Sequence, residues 1–380
     1  MAFTIGKIPT GALVGAVCGL AWAGALREVM AEVAFPTSTV SWVGTFAGIL
    51  LPGTIVGALL GSAEDLRRAG RRSSWLAAAP LVFVLANPSV LVSVFVDGIG
   101  GGALALPAFG MAGGYALSGR GPQWTRWAAG VFALSPVPIV LIGASLVGGR
   151  FAPATPRGAW LAVLFLSLIA VLALGCTIPH RSPADLLQTR RRLVLVGVVC
   201  GLGWGAGMRA FMAVAAGPDS QVSWVGTFAI ILPISTVVGG LLGWAEHLRR
   251  TGDERRRLRR LALAPLLFTA DPASLVVTLP AMAGGYALAG RGSRRALWTN
   301  ALCAFLPVPT FLLAVTFLDD IRNLGTPHGA WLTILLFSHI AVLTIACAIP
   351  RRPIEAPAQP TAAPEAQPDA TIGPESGQSR

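Results

Sequence analysis

The chain runs to 380 residues, of which 54% are hydrophobic and only 12% charged, with a mean hydropathy of +0.68. Ordinary soluble domains carry about 25% charged residues, so this composition excludes a soluble enzyme, a disordered chain and a nucleic-acid-binding protein with a solvated charged coat. The formal net charge of +12 rests on 29 basic residues, all arginine except Lys7, and its meaning depends on where they fall.

A hydrocarbon core about 30 Å thick is crossed by about 20 apolar residues. In chain order that rule predicts spans at 11–35, 40–62, 75–96, 102–119, 127–149 and 158–178, then at 193–216, 222–244, 296–318 and 329–349. The apolar stretch 261–289 is too long for one comfortable span and too short for two. It breaks at Ala270-Asp271-Pro272, and Asp before Pro is a helix-start signal; the first half has Asn87-Pro88 at the matching place. The preferred reading is a re-entrant pair of half-helices, with one full span as the alternative. Residues 353–380, rich in Pro, Ala, Glu and Gln, read as a disordered cytoplasmic tail.

The chain is written twice. Val40-Ser41-Trp42-Val43-Gly44-Thr45-Phe46 returns as Val222-Ser223-Trp224-Val225-Gly226-Thr227-Phe228, an offset of 182. Cys18, Gly19, Trp22, Arg27, Glu64, Arg67 and Arg68 return at that offset as Cys200, Gly201, Trp204, Arg209, Glu246, Arg249 and Arg250. Further on, Gly113-Gly114-Tyr115 and Gly158-Ala159-Trp160 match Gly284-Gly285-Tyr286 and Gly329-Ala330-Trp331 at offset 171. The resulting division is a first membrane repeat at 1–181, a cytoplasmic linker at 182–192, a second repeat at 193–352 and the tail. The first span pairs residue for residue with one inside the second repeat, so it is kept as a helix rather than a cleaved signal.

Charge asymmetry sets the orientation. With the N-terminus inside and 261–289 returning to the side it left, 24 basic residues fall inside and three (Arg150, Arg157, Arg322) outside. Arg27 and Arg209 remain within the membrane. The expectation is an all-α, polytopic integral membrane protein: two parallel tandem repeats, each of about four full helices plus a broken or re-entrant hairpin, about 10–12 membrane segments in total. The plasma (inner) membrane is the expected location, with both termini cytoplasmic.

Arg27 and Arg209 are the sharpest candidates for chemistry, because an intramembrane arginine is costly unless paired or hydrated and usually has a task. Gly24 and Ala23, Ala206 and Gly205 precede them, leaving room for a ligand or a closely packed helix. The alternative is that each snorkels to the headgroups or holds a structural ion pair. Glu28 and Glu32 adjoin Arg27 in the first half alone, Ala210 and Val214 replacing them. They face Arg209 across the pseudo-twofold, or Glu32 reaches the outer interface, the favoured reading for Glu32. Asn87 and Asp271 cap half-helices whose N–H groups suit an anionic group, or else sit at plain proline kinks.

Gly11-Gly15-Gly19, Gly53-Gly57-Gly61 and Gly197-Gly201-Gly205 have the GxxxG spacing of closely packed helices. The five cysteines show no ligand spacing and read as small packing residues. His339, the one histidine within a span, lacks a repeated mate. No Walker A, HExxH, GxSxG with a plausible histidine, or prenyltransferase-type Asp-rich pair is present, so no catalytic residue, metal or cofactor is assigned.

Ser-Trp-Val-Gly-Thr-Phe followed by Ala63–Arg68 and Ala245–Arg250 resembles multi-pass membrane proteins of GC-rich actinobacteria known only as uncharacterised. That resemblance implies no activity, substrate or site. The function expected from the residues is transporter- or channel-like handling of a small anionic or carboxylate-bearing solute through Arg27, Arg209, Asn87 and Asp271. The alternatives are a non-catalytic membrane scaffold and, more weakly, an enzyme acting on a lipid-linked substrate. Expected partners are the lipid bilayer, the solute and a second copy of the chain, with no nucleic acid.

Overall fold

The computed structural model describes residues 10–34, 38–71, 73–86, 102–181, 189–217, 220–252, 255–270, 274–290, 292–316 and 323–352. Among these every regular element is helical. Eight helices are long and apolar enough to cross a membrane, four in each half. The protein is therefore an all-helical chain of polytopic membrane type.

In the first half, α1 spans Thr10–Val33. A π-helical segment, Trp42–Leu50, runs straight into α2, Leu51–Arg68. A 3-10 turn, Ser74–Leu81, leads to the short α3, Val82–Ala86, and α4 follows at Gly102–Ser118. One long span is split into α5, Gln123–Leu134, and α6, Pro136–Val147. The split falls at Ser135, where Pro136 and Pro138 cannot donate to the preceding turn. Helix α7, Pro156–Cys176, closes the half, its first turn capped by Thr155 accepting from the Gly158 N–H at 3.1 Å.

The second half runs in the same order. Helix α8 is Arg190–Ala216, the π-helical segment is Trp224–Ile231, and α9 is Leu232–Thr251. Helix α10, Arg255–Leu261, and the 3-10 segment Ala264–Ala270 precede α11, Leu275–Leu288. Pro307 splits the next span into α12, Arg294–Phe305, and α13, Pro307–Thr316. Helix α14 is Pro327–Ala348, capped by Thr326 as α7 is by Thr155. Within 261–289 the described pieces are thus two short helices, neither among the eight candidate spans. Asn87 and Asp271 lie outside the described residues.

Two antiparallel pairs, α1 with α2 and α8 with α9, are the tightest contacts. The glycine ladders explain them. Cβ atoms at Gly15 and Gly19 would run into the Gly57 and Gly53 carbonyls, and at Gly197 into that of Gly239. Backbones approach this closely only where side chains are absent, which is how small-residue repeats hold helices together in an apolar medium. Gly239 and Gly243 complete the second ladder, and Ser235 takes the place of Gly53. At the start of α1, Asp65 accepts from the Gly11 and Ala12 N–H groups at 2.9 and 3.3 Å, answering donors the helix leaves open.

The halves meet where α1 packs on α14 and α7 on α8. The α5–α6 and α12–α13 spans lie at the periphery with only 6% of their apolar windows buried, which leaves their apolar sides for lipid. Trp127 and Trp298, equivalent residues at the starts of those spans, are 68% exposed, as suits interfacial aromatic anchors.

Candidate functional site

Arg27 lies near the end of α1 and is only 4% exposed. Its Nε donates to Thr45 Oγ1 at 3.2 Å, and its Nη2 to Ser38 Oγ at 3.2 Å and the Thr39 carbonyl at 2.8 Å. The guanidinium carbon sits 5.5 Å from the ring centroid of Trp331, which belongs to the other half. Arg209, 5% exposed, repeats the arrangement. It donates to Thr227 Oγ1 at 3.4 Å, Ser220 Oγ at 3.4 Å and the Gln221 carbonyl at 2.8 Å, over Trp160 at 5.6 Å.

The exchange is reciprocal. Trp331 Nε1 donates to the Gly24 carbonyl at 3.3 Å, and Trp160 Nε1 to that of Ala206 at 3.2 Å. Each tryptophan therefore bonds three residues before the arginine it covers, on a helix of the opposite half. The room left by the small residues beside the arginines is filled by packed helix: a Cβ at Gly24 would meet Leu335 Cδ1 at 3.0 Å, and one at Gly53 would meet Ala23.

The duplicated Ser-Trp-Val-Gly-Thr-Phe string builds the acceptor. Ser41 and Ser223 cap the π-helical segments by accepting from the Gly44 and Gly226 N–H groups, each at 3.0 Å. A π-helical stretch spaces its residues unlike an α-helix and is found mostly at functional sites. Here it faces Thr45 and Thr227, both 1% exposed, towards the arginines.

The acids lie beside this pair and in the first half alone. Glu28 is 3% exposed, and the charges of Glu32, Arg27, Arg157 and Arg209 act on it. Glu32 is buried as well. It accepts from Arg150 Nη2 at 2.7 Å and pairs with Arg157. Arg27 Nη1 is buried without a hydrogen-bond partner. Six charged groups, four cationic and two anionic, thus gather at one end of the central helices.

At the other end two cavities open, of about 320 and 430 Å³. Neither Arg27 nor Arg209 lines them. Cys18 lines the first and Cys200 the second; both are exposed although each lies within a long helix. These thiols are cavity wall rather than the packing residues expected from the sequence. Among the described residues no group of three His, Cys, Asp or Glu side chains is placed to hold a metal ion.

Of the four residues singled out in the sequence, Arg27 and Arg209 are brought into one network, and Asn87 and Asp271 fall outside the described residues. Sequence reasoning passed over Thr45, Thr227, Trp160 and Trp331 as partners, although all four stand in the repeated strings. Recurrence of a buried polar residue beside a recurring arginine was the available signal. No protein-family profile, curated protein or solved structure matches the chain.

Proposed function

We propose that this is a carrier-like protein of the plasma membrane, handling a small anionic or carboxylate-bearing solute between its two halves. In this reading the halves are parallel repeats about an axis along the membrane normal, with the arginine-rich helix ends and both termini on the cytoplasmic side. One observation carries it: the halves are sealed by a buried, net-cationic network at the Arg27–Arg209 end and enclose open cavities at the other. That is the geometry of one end state of alternating access. When the halves rock, Arg27 and Arg209 exchange their cross-half tryptophan contacts for the solute anion.

Flux of radiolabelled small carboxylates into proteoliposomes tests the reading. Saturable uptake that falls at least tenfold in Arg27→Ala with Arg209→Ala, in protein that remains monodisperse, is the expected result. Unaltered uptake in that variant, or no uptake of any anion by the parent protein, overturns it.

A second reading, a non-catalytic membrane scaffold, is favoured by the dry packing between the halves, where Trp160, Trp331, Leu164 and Leu335 are all essentially inaccessible. It requires a partner protein recovered by crosslinking in membranes and no solute flux.

A further inference from the structure

The two cavities are copies of each other. The first is walled by Gly15, Cys18, Trp22 and Gly57 of α1 and α2 and by Leu172 of α7. The second has Gly197, Cys200, Trp204, Gly239 and Leu343 at the equivalent positions. Their walls are apolar. Their charged groups are Glu64, Asp65 and Arg68 in the first, and Glu64, Arg67, Glu246 and Arg250 in the second. Each is completed by an arginine from beyond its own half: Arg352 at the first, Arg181 at the second. Arg352 also borders the second cavity.

Cations outnumber acids in the lining of the second cavity and match them in the first. Glu64 is held by Arg67 and Arg68 at 2.7 and 2.8 Å, and Glu246 by Arg249 and Arg250 at 2.7 Å. Each carboxylate is thus already outnumbered two to one before Arg352 or Arg181 is added. No hydrogen bond or ion pair engages the side chain of either among the described residues. Burial and the nearby Arg67 push the Arg181 guanidinium below its usual value, Arg192 and Arg250 adding to the effect and Glu64 opposing it. Two donor-rich cations whose side chains make no hydrogen bond or ion pair among the described residues, above an apolar chamber, complement a ligand with an anionic head and an apolar tail. Volumes of about 320 and 430 Å³ lie at the small end of ligand pockets, room for one chain rather than two.

We propose that each cavity binds one single-chain anionic lipid from the bilayer, its acyl chain lodged against the glycine-ladder helices and its phosphate head on the arginine contributed by the opposite half. Two equivalent sites per chain follow, separate from the Arg27–Arg209 network, so the inference stands independently of solute transport.

Cys18 and Cys200 report the two sites separately. In a Cys303→Ser variant, purified in a neutral maltoside detergent, they are the thiols left exposed, since Cys176 and Cys347 are buried. Small-maleimide labelling, located by peptide mass spectrometry, is measured with lysophosphatidylglycerol, zwitterionic lysophosphatidylcholine or inorganic phosphate added. Lysophosphatidylglycerol is expected to slow labelling of both thiols at least tenfold and the other two probes to leave it within twofold. Arg181→Ala should raise the concentration needed to protect Cys200 about tenfold, the worth of one charge-assisted contact, and leave Cys18 protection unchanged. Arg181→Lys should restore part of it. Equal protection by lysophosphatidylcholine, protection by phosphate alone, thiols that never label, or Cys200 protection indifferent to Arg181→Ala overturns the proposal. The headgroup comparison needs no variant of the mouth, so it decides even where Arg181→Ala fails to fold.

Discussion

An arginine set among apolar helices must have its donors answered, and at Arg27 and Arg209 the answers come from both directions. The same half supplies a threonine hydroxyl, a serine hydroxyl and a loop carbonyl, and the opposite half supplies an aromatic face. The fork of a guanidinium matches this set where a compact ammonium does not. Arg27→Lys should therefore cost about 2 kcal/mol, read as a lower midpoint of thermal unfolding in detergent. Trp331→Phe keeps a ring over the arginine and loses only the bond to the Gly24 carbonyl, so about 1 kcal/mol is expected in the same assay. Glu32→Gln removes the carboxylate that gathers Arg150 and Arg157. It should cost about 1–2 kcal/mol, because Arg150 and Arg157 stay about 30% exposed and water answers part of what they lose. The recurrence of the arginines and their tryptophans was legible at this scale. Their pairing across the halves was not, because recurrence is blind to which copy a side chain reaches.

Among the elements, the glycine ladders set how close α1 and α2 lie, and they give a sharp contrast between glycines. A methyl at Gly15 has nowhere to go but into the Gly57 carbonyl, whereas one at Gly143 of α6 meets nothing within 4 Å. Gly15→Ala should destabilise by about 3 kcal/mol, as overpacking at a backbone contact does. Gly143→Ala should stabilise by about 0.5–1 kcal/mol through helix propensity alone. Urea or thermal melts of the two variants side by side check the sign as well as the size. The long spans and the ladders were legible because both are periodic patterns of residue type. The π-helical start of α2 was not: Trp42–Leu50 is as apolar as any α-helical run, and its hydrogen-bond register is chosen by the Ser41 cap and the arginine it faces. The α5–α6 break shows the same limit, since the prolines were visible while the span still read as one.

Across the whole molecule, charge divides two ends of different character: a sealed end at Arg27 and Arg209, and an open end at the cavities. Cys18 and Cys200 lie near enough to interact electrostatically, one from each half. A short bifunctional thiol reagent should therefore link α1 to α8 within one chain. After proteolysis in the 182–192 segment the two halves should remain joined on a denaturing gel; separation of the halves would contradict the packing. The matched strings and the all-helical, multi-span character were legible in the sequence. The cavities were not, because they form between glycines and leucines whose residue types mark packing and say nothing of the gaps it leaves.

The reciprocal tryptophans make the two halves complementary rather than interchangeable. Each half carries an arginine whose covering ring belongs to the other, and the acids Glu28 and Glu32 stand in the first half alone. Two first halves brought together would double the acids together with Arg150 and Arg157, which pair with Glu32. Two second halves would bury the cations with no acid at all. A chain cut in the 182–192 segment and expressed as two pieces should accordingly assemble by mutual completion, one of each, and pull-down of differently tagged pieces should return mixed pairs in large excess over like pairs. Fusion of the halves into one polypeptide then does the work of a stoichiometry rule, fixing one acid-bearing half to one acid-free half.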